Sequence, residues 1–300
     1  MMTQLLYMTK RNIKLFFKDK GMFFASLITP LILLVLYATF LGKVYKDSFT
    51  SSMPETLDVS ARIIDGVIAG QLTSSILAVS CVTVSFCSNM IMVNDKATKA
   101  INDYKITPVK SYRISLSYYI ATLISTLIIV YVAFFACLIY TSAVGFFMSA
   151  SDVFLIMLDV ILVTMFGLSL SSIINFFLKS QGQISAVGTI VSAGYGFICG
   201  AYMPLSNFSK GLQNVLSFLP GTYGTSLFRN HCMQGALKAF ENEGIPVDVI
   251  DKIKTSVDCN LFFFDNKVSI VSMYLVIVLS VVVLFGIYVL MNYLKERKAG

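Results

Sequence analysis

The stretch VSIVSMYLVIVLSVVVLFGIYVLMNY, residues 268–293, decides the fold class of this 300-residue chain. It contains no charged side chain. An α-helix rises about 1.5 Å per residue, so about 20 apolar residues cross a hydrocarbon core about 30 Å thick. Strands of a membrane barrel alternate apolar and polar residues instead, whereas residues 275–284 are aliphatic except for Ser280. The stretch therefore predicts a transmembrane helix.

Five further stretches share this length and character. They are residues 21–42, 66–94, 114–141, 153–178 and 183–203, and only the fourth of the six spans contains a charged residue, Asp159. The whole composition agrees, because 56% of residues are hydrophobic and only 13% are charged, against about 25% charged in globular domains. We therefore predict an all-α membrane protein with six spans, which excludes a soluble enzyme and a disordered chain.

The placement of basic residues orients this bundle. They cluster before the first span, between the second and third, and after the sixth, at Lys10, Arg11, Lys14, Lys18, Lys20, Lys96, Lys99, Lys105, Lys110, Arg113, Lys295, Arg297 and Lys298. Short loops rich in Lys and Arg stay on the cytoplasmic side. Both termini are therefore expected in the cytoplasm, in the plasma (cytoplasmic) membrane, and the net charge of +7 reflects topology and anionic lipid rather than nucleic acid.

Residues 1–20 precede the domain formed by residues 21–300. Their apolar residues recur at helical spacing with lysines off the stripe, as in a helix that lies in the headgroup plane. The apolar run that follows is longer than the 7 to 15 residues of a secretory signal. We predict an amphipathic interfacial helix that ends at Gly21, followed by an uncleaved first span.

Two connections carry specific patterns. Residues 95–107 continue the second span as a short basic amphipathic helix that ends before Pro108, a form suited to docking in a partner's groove. The outer segment, residues 204–267, places apolar residues at helical spacing between Pro204 and Pro220, which predicts a pair of re-entrant helices buried by protein.

Small and hydroxyl residues distinguish the second and fifth spans. Every fourth position of the fifth span is small, at Gly188, Ser192, Gly196 and Gly200, a pattern that lets another helix approach closely. The second span carries many hydroxyl and amide side chains. Two interpretations remain open: ordinary helix packing within one subunit, or helices that line a path or a dimer seam.

Few residues suggest chemistry. Cys232 and Cys259 lie in the outer segment, where oxidising conditions would allow a disulfide, although two reduced thiols are equally consistent with the sequence. Asp159 either reaches the interface or stays protonated, or it has a substrate or structural pairing role. The single histidine, His231, lies close to Arg229 in the sequence and is expected at the surface or interface. No phosphate-binding loop and no metal-ligand cluster occurs in the sequence.

The order of these elements resembles the permease subunits of type-2 ABC exporters, over nearly the whole chain. The resemblance implies a homodimer or heterodimer bound to separate ABC ATPase subunits, which would hold ATP and Mg, so that this chain contains no cofactor and is not an enzyme. Residues 95–107 would be the coupling helix, with Lys99, Ile101, Asp103, Tyr104 and Pro108 at the ATPase. The second and fifth spans would line the path at the dimer centre.

Within that path we predict Ser85, Asn89, Tyr195 and Phe197 as substrate contacts. The expected function is export of a drug, peptide or lipid-like substrate from a bacterial cell. Two alternatives are an ion-coupled secondary transporter and a membrane-embedded lipid-modifying enzyme, for which Arg229 and His231 are weak candidates.

Overall fold

The structure, a computed structural model, describes residues 2–43, 46, 60–105, 107 and 109–299. The helices are α1 (Met2–Lys18), α2 (Lys20–Leu36), α3 (Ala61–Ser88), α4 (Met90–Ala97), α5 (Ile101–Lys105), α6 (Ser111–Val144), α7 (Ala150–Phe177), α8 (Gln181–Ile198), α9 (Lys210–Leu216), α10 (Pro220–Asn242), α11 (Val247–Ser256) and α12 (Ile270–Ala299). A π-helical turn, Tyr37–Leu41, extends α2, and β1 (Phe262–Phe263) pairs antiparallel with β2 (Asn266–Lys267). The predicted all-α class is confirmed apart from this short hairpin.

Four helical segments of the described chain are long and apolar enough to cross a membrane. They are Ala61–Ala97, Ser111–Val144, Ala150–Phe177 and Ile270–Lys295, which correspond to the second, third, fourth and sixth predicted spans. Helices α1 and α2 are long and apolar enough to cross a membrane only if they are counted as one bent span. Helix α8 forms where the fifth span is predicted, but it is only 18 residues long, and Gln181 and Gln183 in its first turn reduce its mean hydropathy. The structure thus supports four or five spans, and the count of six stays a prediction.

A bend of 73° separates α1 from α2. The predicted end of the first helix at Gly21 is wrong: α1 ends at Lys18, and Asp19 is the N-cap of α2, accepting a hydrogen bond of 3.1 Å from the Met22 amide. An aspartate side chain satisfies a free amide of the first turn, so it starts a new helix before the glycine is reached. Helix α1 then packs along α6, with Phe16 fully buried.

Helix α3 is the centre of the fold. It contacts α2, α6, α7, α8 and α10, and almost every residue along it is buried. Close approach is possible where a glycine faces it: a Cβ atom on Gly167 of α7 would lie 2.8 Å from Val82 Cα. The hydroxyl-rich sequence of α3 therefore belongs to a helix enclosed by protein rather than by lipid.

Contacts between helix termini show which of them lie at the same end of the bundle. The Lys295 ammonium lies 5.2 Å from the Phe176 ring, and Ser115 donates to Asn292 at 2.7 Å. Arg113 donates to Gln4 at 3.1 Å. Both α1 and the end of α12 therefore lie at the same end as α4 and α5, which we call the basic end.

The opposite end contains the segment from 204 to 267. The fold of residues 231–267, which the sequence leaves open, consists of the second half of α10, α11 and the hairpin. Gly224 in the first turns of α10 faces Val163 and Ile277, well inside α7 and α12, whereas Gly235 faces the Phe147 carbonyl between α6 and α7. Helix α10 thus begins deep between other helices and runs toward the end of the bundle.

Candidate functional site

The elbow, residues 90–105, connects the central helix to a short exposed helix. Helix α4 follows α3 after a break at Asn89, and α5 follows a turn in which Lys99 has a φ of 63°. This left-handed conformation interrupts the helix, so the single helix predicted over residues 95–107 is wrong and the elbow is two helices joined by a turn. Lys99 and Asp103 are exposed and Ile101 and Tyr104 are half-buried, whereas Pro108 lies outside the described residues.

Asp95 joins the elbow to two other helices. Its Oδ2 atom accepts a hydrogen bond from Arg11 Nη1 of α1 and another from Tyr118 Oη of α6, each 2.5 Å long. The Arg11 guanidinium also lies 5.6 Å from the ring of Tyr104 in α5, within the range of a cation–π contact. We call these four residues the elbow cluster. Through it, α1, α4, α5 and α6 are held together at the basic end.

Lys96 joins the elbow to α7. Its Nζ atom donates to the Asn175 carbonyl at 2.9 Å and to the Phe176 carbonyl at 3.2 Å, in the last turn of α7. The last carbonyls of a helix have no partner within it, and a cation there is favoured by the helix dipole. The elbow is therefore attached to three long helices: its own α3, α6 and α7.

The four predicted path residues lie in different surroundings. Ser85 donates to the Cys81 carbonyl of its own helix at 2.6 Å, and Asn89 donates to the hydroxyls of Ser171 and Ser172 at 3.1 Å. Both are fully enclosed between α3 and α7 within one chain. Tyr195 lines a cavity, and Phe197 is exposed with its ring 5.2 Å from that of Tyr202. The structure does not bring the four together.

The small residues of α8 accommodate side chains of the same chain. A Cβ atom on Gly188 would lie 2.9 Å from Met90 Cε, and one on Gly196 would overlap the Tyr202 ring. The Ser192 carbonyl accepts from Tyr202 Oη at 3.5 Å, and Gly200 has a left-handed φ of 75°. These residues serve helix packing within the chain, while the exposed face of α8 contains Ser185, Ala186, Thr189, Ile190 and Ala193.

A cavity of about 620 Å³ lies between α3, α7, α8, α12 and the start of α10. Its lining contains no charged residue. Sites for small molecules are concave, mostly apolar and of a few hundred Å³, so this cavity has the size of a ligand site.

The sequence pattern of the ABC-2 type transporter family matches residues 3–232, from α1 through the first half of α10. The chain belongs to the ABC-2 type transporter family. It is thus a multi-pass membrane protein and the permease of an ABC transporter, of a family whose members generally work with an ABC ATPase. No curated protein matches the chain at a significant level.

The residues predicted to contact the ATPase lie at the basic end, on α5 and the turn before it: Lys99 and Asp103 are exposed there, and Ile101 and Tyr104 are half-buried. Tyr104 belongs to the elbow cluster, whose other members are Arg11, Asp95 and Tyr118. Arg11 and Tyr118 were not predicted as members of this site. A basic residue in an interfacial helix and a tyrosine early in a span are common, and only the fold brings both to Asp95.

Sequence reasoning also misplaced one residue of this permease at the opposite end. His231, expected at the surface or interface, is buried, and so is its sequence neighbour Arg229. Arg229 donates to Asp258 Oδ2 at 2.8 Å and to the Gly200 carbonyl at 2.6 Å. Burial raises the pKa of Asp258, while Arg229 and the amides of residues 205 and 206 act against that rise. This network ties α10 to the loop after α11.

His231 pairs with Asp159, the charged residue of the fourth predicted span. Its Nδ1 atom lies 2.6 Å from Asp159 Oδ2, and Tyr274 Oη donates to Oδ1 at 2.7 Å. Asp159 is wholly buried, so of its two predicted readings the pairing role is the one that the structure shows. The two residues are far apart in sequence, and no local pattern indicates their contact.

Cys232 and Cys259 are free thiols in the structure, so the predicted disulfide is not formed there. Both are buried, and burial raises the pKa of Cys259 to about 12. Among the described residues, no group of three or more His, Cys, Asp or Glu could hold a metal ion.

Proposed function

We propose that this chain is the membrane subunit of an ATP-driven ABC exporter, which moves its substrate out of a bacterial cell through the interface of two permease copies. A separate ATPase subunit holds ATP and Mg and binds the elbow. The chain lies in the cytoplasmic membrane with both termini in the cytoplasm, as the Lys and Arg residues of the basic end favour. Substrate shifts the equilibrium between inward and outward states only by its difference in affinity for them.

The elbow cluster is the observation that carries this proposal. A short exposed helix can transmit a push only if it is joined to the spans by strong contacts. Asp95 receives hydrogen bonds from both Arg11 and Tyr118, and Lys96 is bonded to the end of α7. Displacement of α5 by a partner therefore acts on α1, α6 and α7 together, and directly on α3 through α4.

Helix α3 supports transmission from one end of the bundle to the other. Its inner end continues into the elbow, and its outer half lies against α10, where Gly70 faces the Cys232 backbone. A rigid helix that contacts most of the others moves them together when it shifts, so it can switch the bundle between two discrete arrangements. Movement at the elbow is thereby coupled to α10.

Two features support the proposed dimer and the predicted re-entrant helices of the outer segment. Helix α8 exposes Ser185, Thr189 and other small residues along a face that no described part of this chain covers, and such faces favour contact between membrane helices. Helix α9 precedes α10, whose first turns lie deep between α7 and α12. That geometry supports a re-entrant α10, whereas Leu212 and Val215 of the seven-residue α9 are exposed rather than buried by protein as predicted.

The decisive experiment uses the tagged permease purified from its own membranes, with ATP hydrolysis as the readout. We expect co-purified ATPase activity that is lost in Ile101→Asp and Tyr104→Asp, because a carboxylate at either position disrupts an apolar contact. Lys252→Asp, an exposed change on α11 at the opposite end, is the matched control. Equal activity in all four proteins would contradict the coupling role.

A further inference from the structure

A short hairpin with phenylalanine side chains projects from the bundle at the end opposite the basic end. Strand β1 consists of Phe262 and Phe263, and Phe264 and Asp265 form the turn before β2. Successive side chains of a strand point to opposite faces, yet the side chains of all three phenylalanines are 36% to 49% exposed. Neither face of the hairpin is therefore closed off by the described part of the chain.

The turn of this hairpin places a large ring where a small or polar residue is usual. Phe264 has a left-handed φ of 54°, a conformation that glycine, asparagine and aspartate adopt most readily. A bulky residue in this conformation is strained, and such strain is typical of positions that serve a function. Because an exposed ring gains nothing from water, the residue type indicates an apolar environment at the tip.

The tip packs against the segment that leads into α10. The ring of Phe218 lies 5.2 Å from that of Phe263 and 6.0 Å from that of Phe264, each edge to face. Phe218 is exposed, and so is Val215 near the end of α9. The hairpin and α9 thus form one exposed apolar surface. We call it the aromatic foot, and its members are Leu212, Val215, Phe218, Phe262, Phe263 and Phe264.

The aromatic foot lies beside the parts of the chain that enter the membrane. Phe218 is two residues before Pro220, where α10 begins deep between α7 and α12. Gly224 of α10 faces Ile277, about two turns inside α12. At its other end, the hairpin is separated from Ile270, the first residue of α12, by only two residues. The rings are therefore held near the level of the spans rather than far beyond them.

The surroundings of the foot favour lipid over water or protein. Helix α12 exposes Val271, Leu275 and Leu279 along one stripe, which faces hydrocarbon in a membrane and begins next to the hairpin. The charged neighbours Lys210 and Asp265, 3.9 Å apart, are almost fully exposed. An apolar face with charges at its edge is typical of a segment at the boundary of headgroups and acyl chains. The exposed face of α8, by contrast, has small residues that suit another helix.

We propose that the aromatic foot inserts into the lipid leaflet at the end of the bundle opposite the basic end and anchors the entrance of α10 there. Phe263 and Phe264 lie among the acyl chains next to the headgroups, while Lys210 and Asp265 remain at the aqueous edge. The partner is the bilayer itself rather than a transported molecule. The inference does not rest on export or on an ATPase, and its test contains neither nucleotide nor partner protein.

Tryptophan quenching by brominated lipid measures this insertion, because the chain contains no tryptophan of its own. The full chain is reconstituted in phosphatidylcholine vesicles with lipid brominated either near the headgroup or near the methyl end of the acyl chain. Phe263→Trp places the reporter in the foot, Leu279→Trp on the exposed stripe of α12 and Val247→Trp on exposed α11. We expect shallow bromine to quench the reporter at position 263, deep bromine to quench that at position 279, and neither to quench that at position 247.

Iodide in the buffer distinguishes lipid from the two other environments of the foot. A reporter in lipid is quenched by bromine and protected from iodide, a reporter in water shows the reverse, and a reporter covered by a second copy is protected from both. We expect the first pattern at position 263. Either of the other two patterns would overturn the inference.

Phe264→Asp in the Phe263→Trp background tests whether the tip itself holds the foot in the leaflet. A carboxylate is unfavourable among acyl chains, so this change should withdraw the hairpin, remove the quenching by bromine and expose the reporter to iodide. Val247→Asp adds the same charge at an exposed apolar position outside the foot and should change neither. Bromine quenching that persists unchanged in Phe264→Asp would mean that the helices alone place the hairpin there, and would overturn the anchoring role.

Discussion

His231 Nδ1 lies 2.6 Å from Asp159 Oδ2, so the chain's one histidine is held against the one acidic residue of its predicted spans. The contact joins α10 to α7, and Tyr274 adds α12 through the other carboxylate oxygen. Three helices therefore meet at one buried carboxylate. The arrangement has direct consequences for stability.

Removal of the Asp159 carboxylate should destabilise the permease. Asp159→Leu leaves the buried His231 and the half-buried Tyr274 without their shared partner, and a buried polar group left unsatisfied costs about 1–3 kcal/mol. Tyr274→Phe removes only one hydrogen bond and should cost about 1 kcal/mol. Thermal unfolding in detergent, followed by circular dichroism, measures both. An Asp159→Leu protein as stable as the parent would show that this cluster contributes nothing.

The ion pair of Arg229 and Asp258 should behave as a buried unit. Asp258→Leu strands a buried guanidinium, and loss of one partner of such a pair costs about 3–5 kcal/mol. The double variant Arg229→Met/Asp258→Leu should recover part of that loss, because no buried charge remains. The exposed pair of Lys210 and Asp265, 3.9 Å apart, is the control, and Lys210→Met should have no measurable effect. Strictly additive losses in the double variant would contradict a direct interaction.

Two glycines should respond oppositely to the same change. A Cβ atom on Gly167 would lie 2.8 Å from the Val82 backbone, whereas one on Gly286 of α12 would meet nothing within 4 Å. Gly167→Ala must push α7 away from α3 and should lower the unfolding temperature. Gly286→Ala should be neutral or stabilising by up to about 1 kcal/mol, since alanine favours a helix. Equal unfolding temperatures for the two variants would mean that α7 and α3 are not in close contact.

Cys232 and Cys259 should both be found as free, slowly reacting thiols. The raised pKa of Cys259, about 12, leaves very little thiolate at neutral pH, and the thiolate is the reactive form. Intact mass under non-reducing conditions, with iodoacetamide added before or after denaturation, gives the count of thiols and their accessibility. Lys252→Cys on the surface of α11 serves as the rapidly modified control. A mass lower by two hydrogens than that of the reduced chain would show a disulfide.

The elements that sequence predicts well are those set by local composition. Residues 268–293 form a membrane-length helix whatever their neighbours, because no other structure satisfies so long an apolar backbone in hydrocarbon. The amphipathic N-terminal helix follows from its own periodicity, although Asp19 rather than Gly21 ends it. Helix α8 forms where the fifth span is predicted, but its 18 residues are not apolar enough for the structure to support a full span.

The candidate site was only partly predictable for a different reason. The short amphipathic character of residues 95–107 can be read locally, but the left-handed turn at Lys99 and the contacts of Asp95 cannot. Ser85 and Asn89 look like path residues because they are polar within a span. Their hydrogen bonds to the Cys81 carbonyl and to Ser171 and Ser172 depend on how α3 and α7 meet.

Sequence alone determined that this chain is helical, membrane-embedded and basic at one end, since hydrophobicity and charge act on each segment independently of its neighbours. Only the tertiary structure decided which polar groups satisfy one another: Arg11 with Asp95, Arg229 with Asp258, His231 with Asp159. Those pairings join residues distant in the chain, and their geometry exists only once the helices have packed. The same holds for the apolar cavity, which is a space between five helices and a property of none of them.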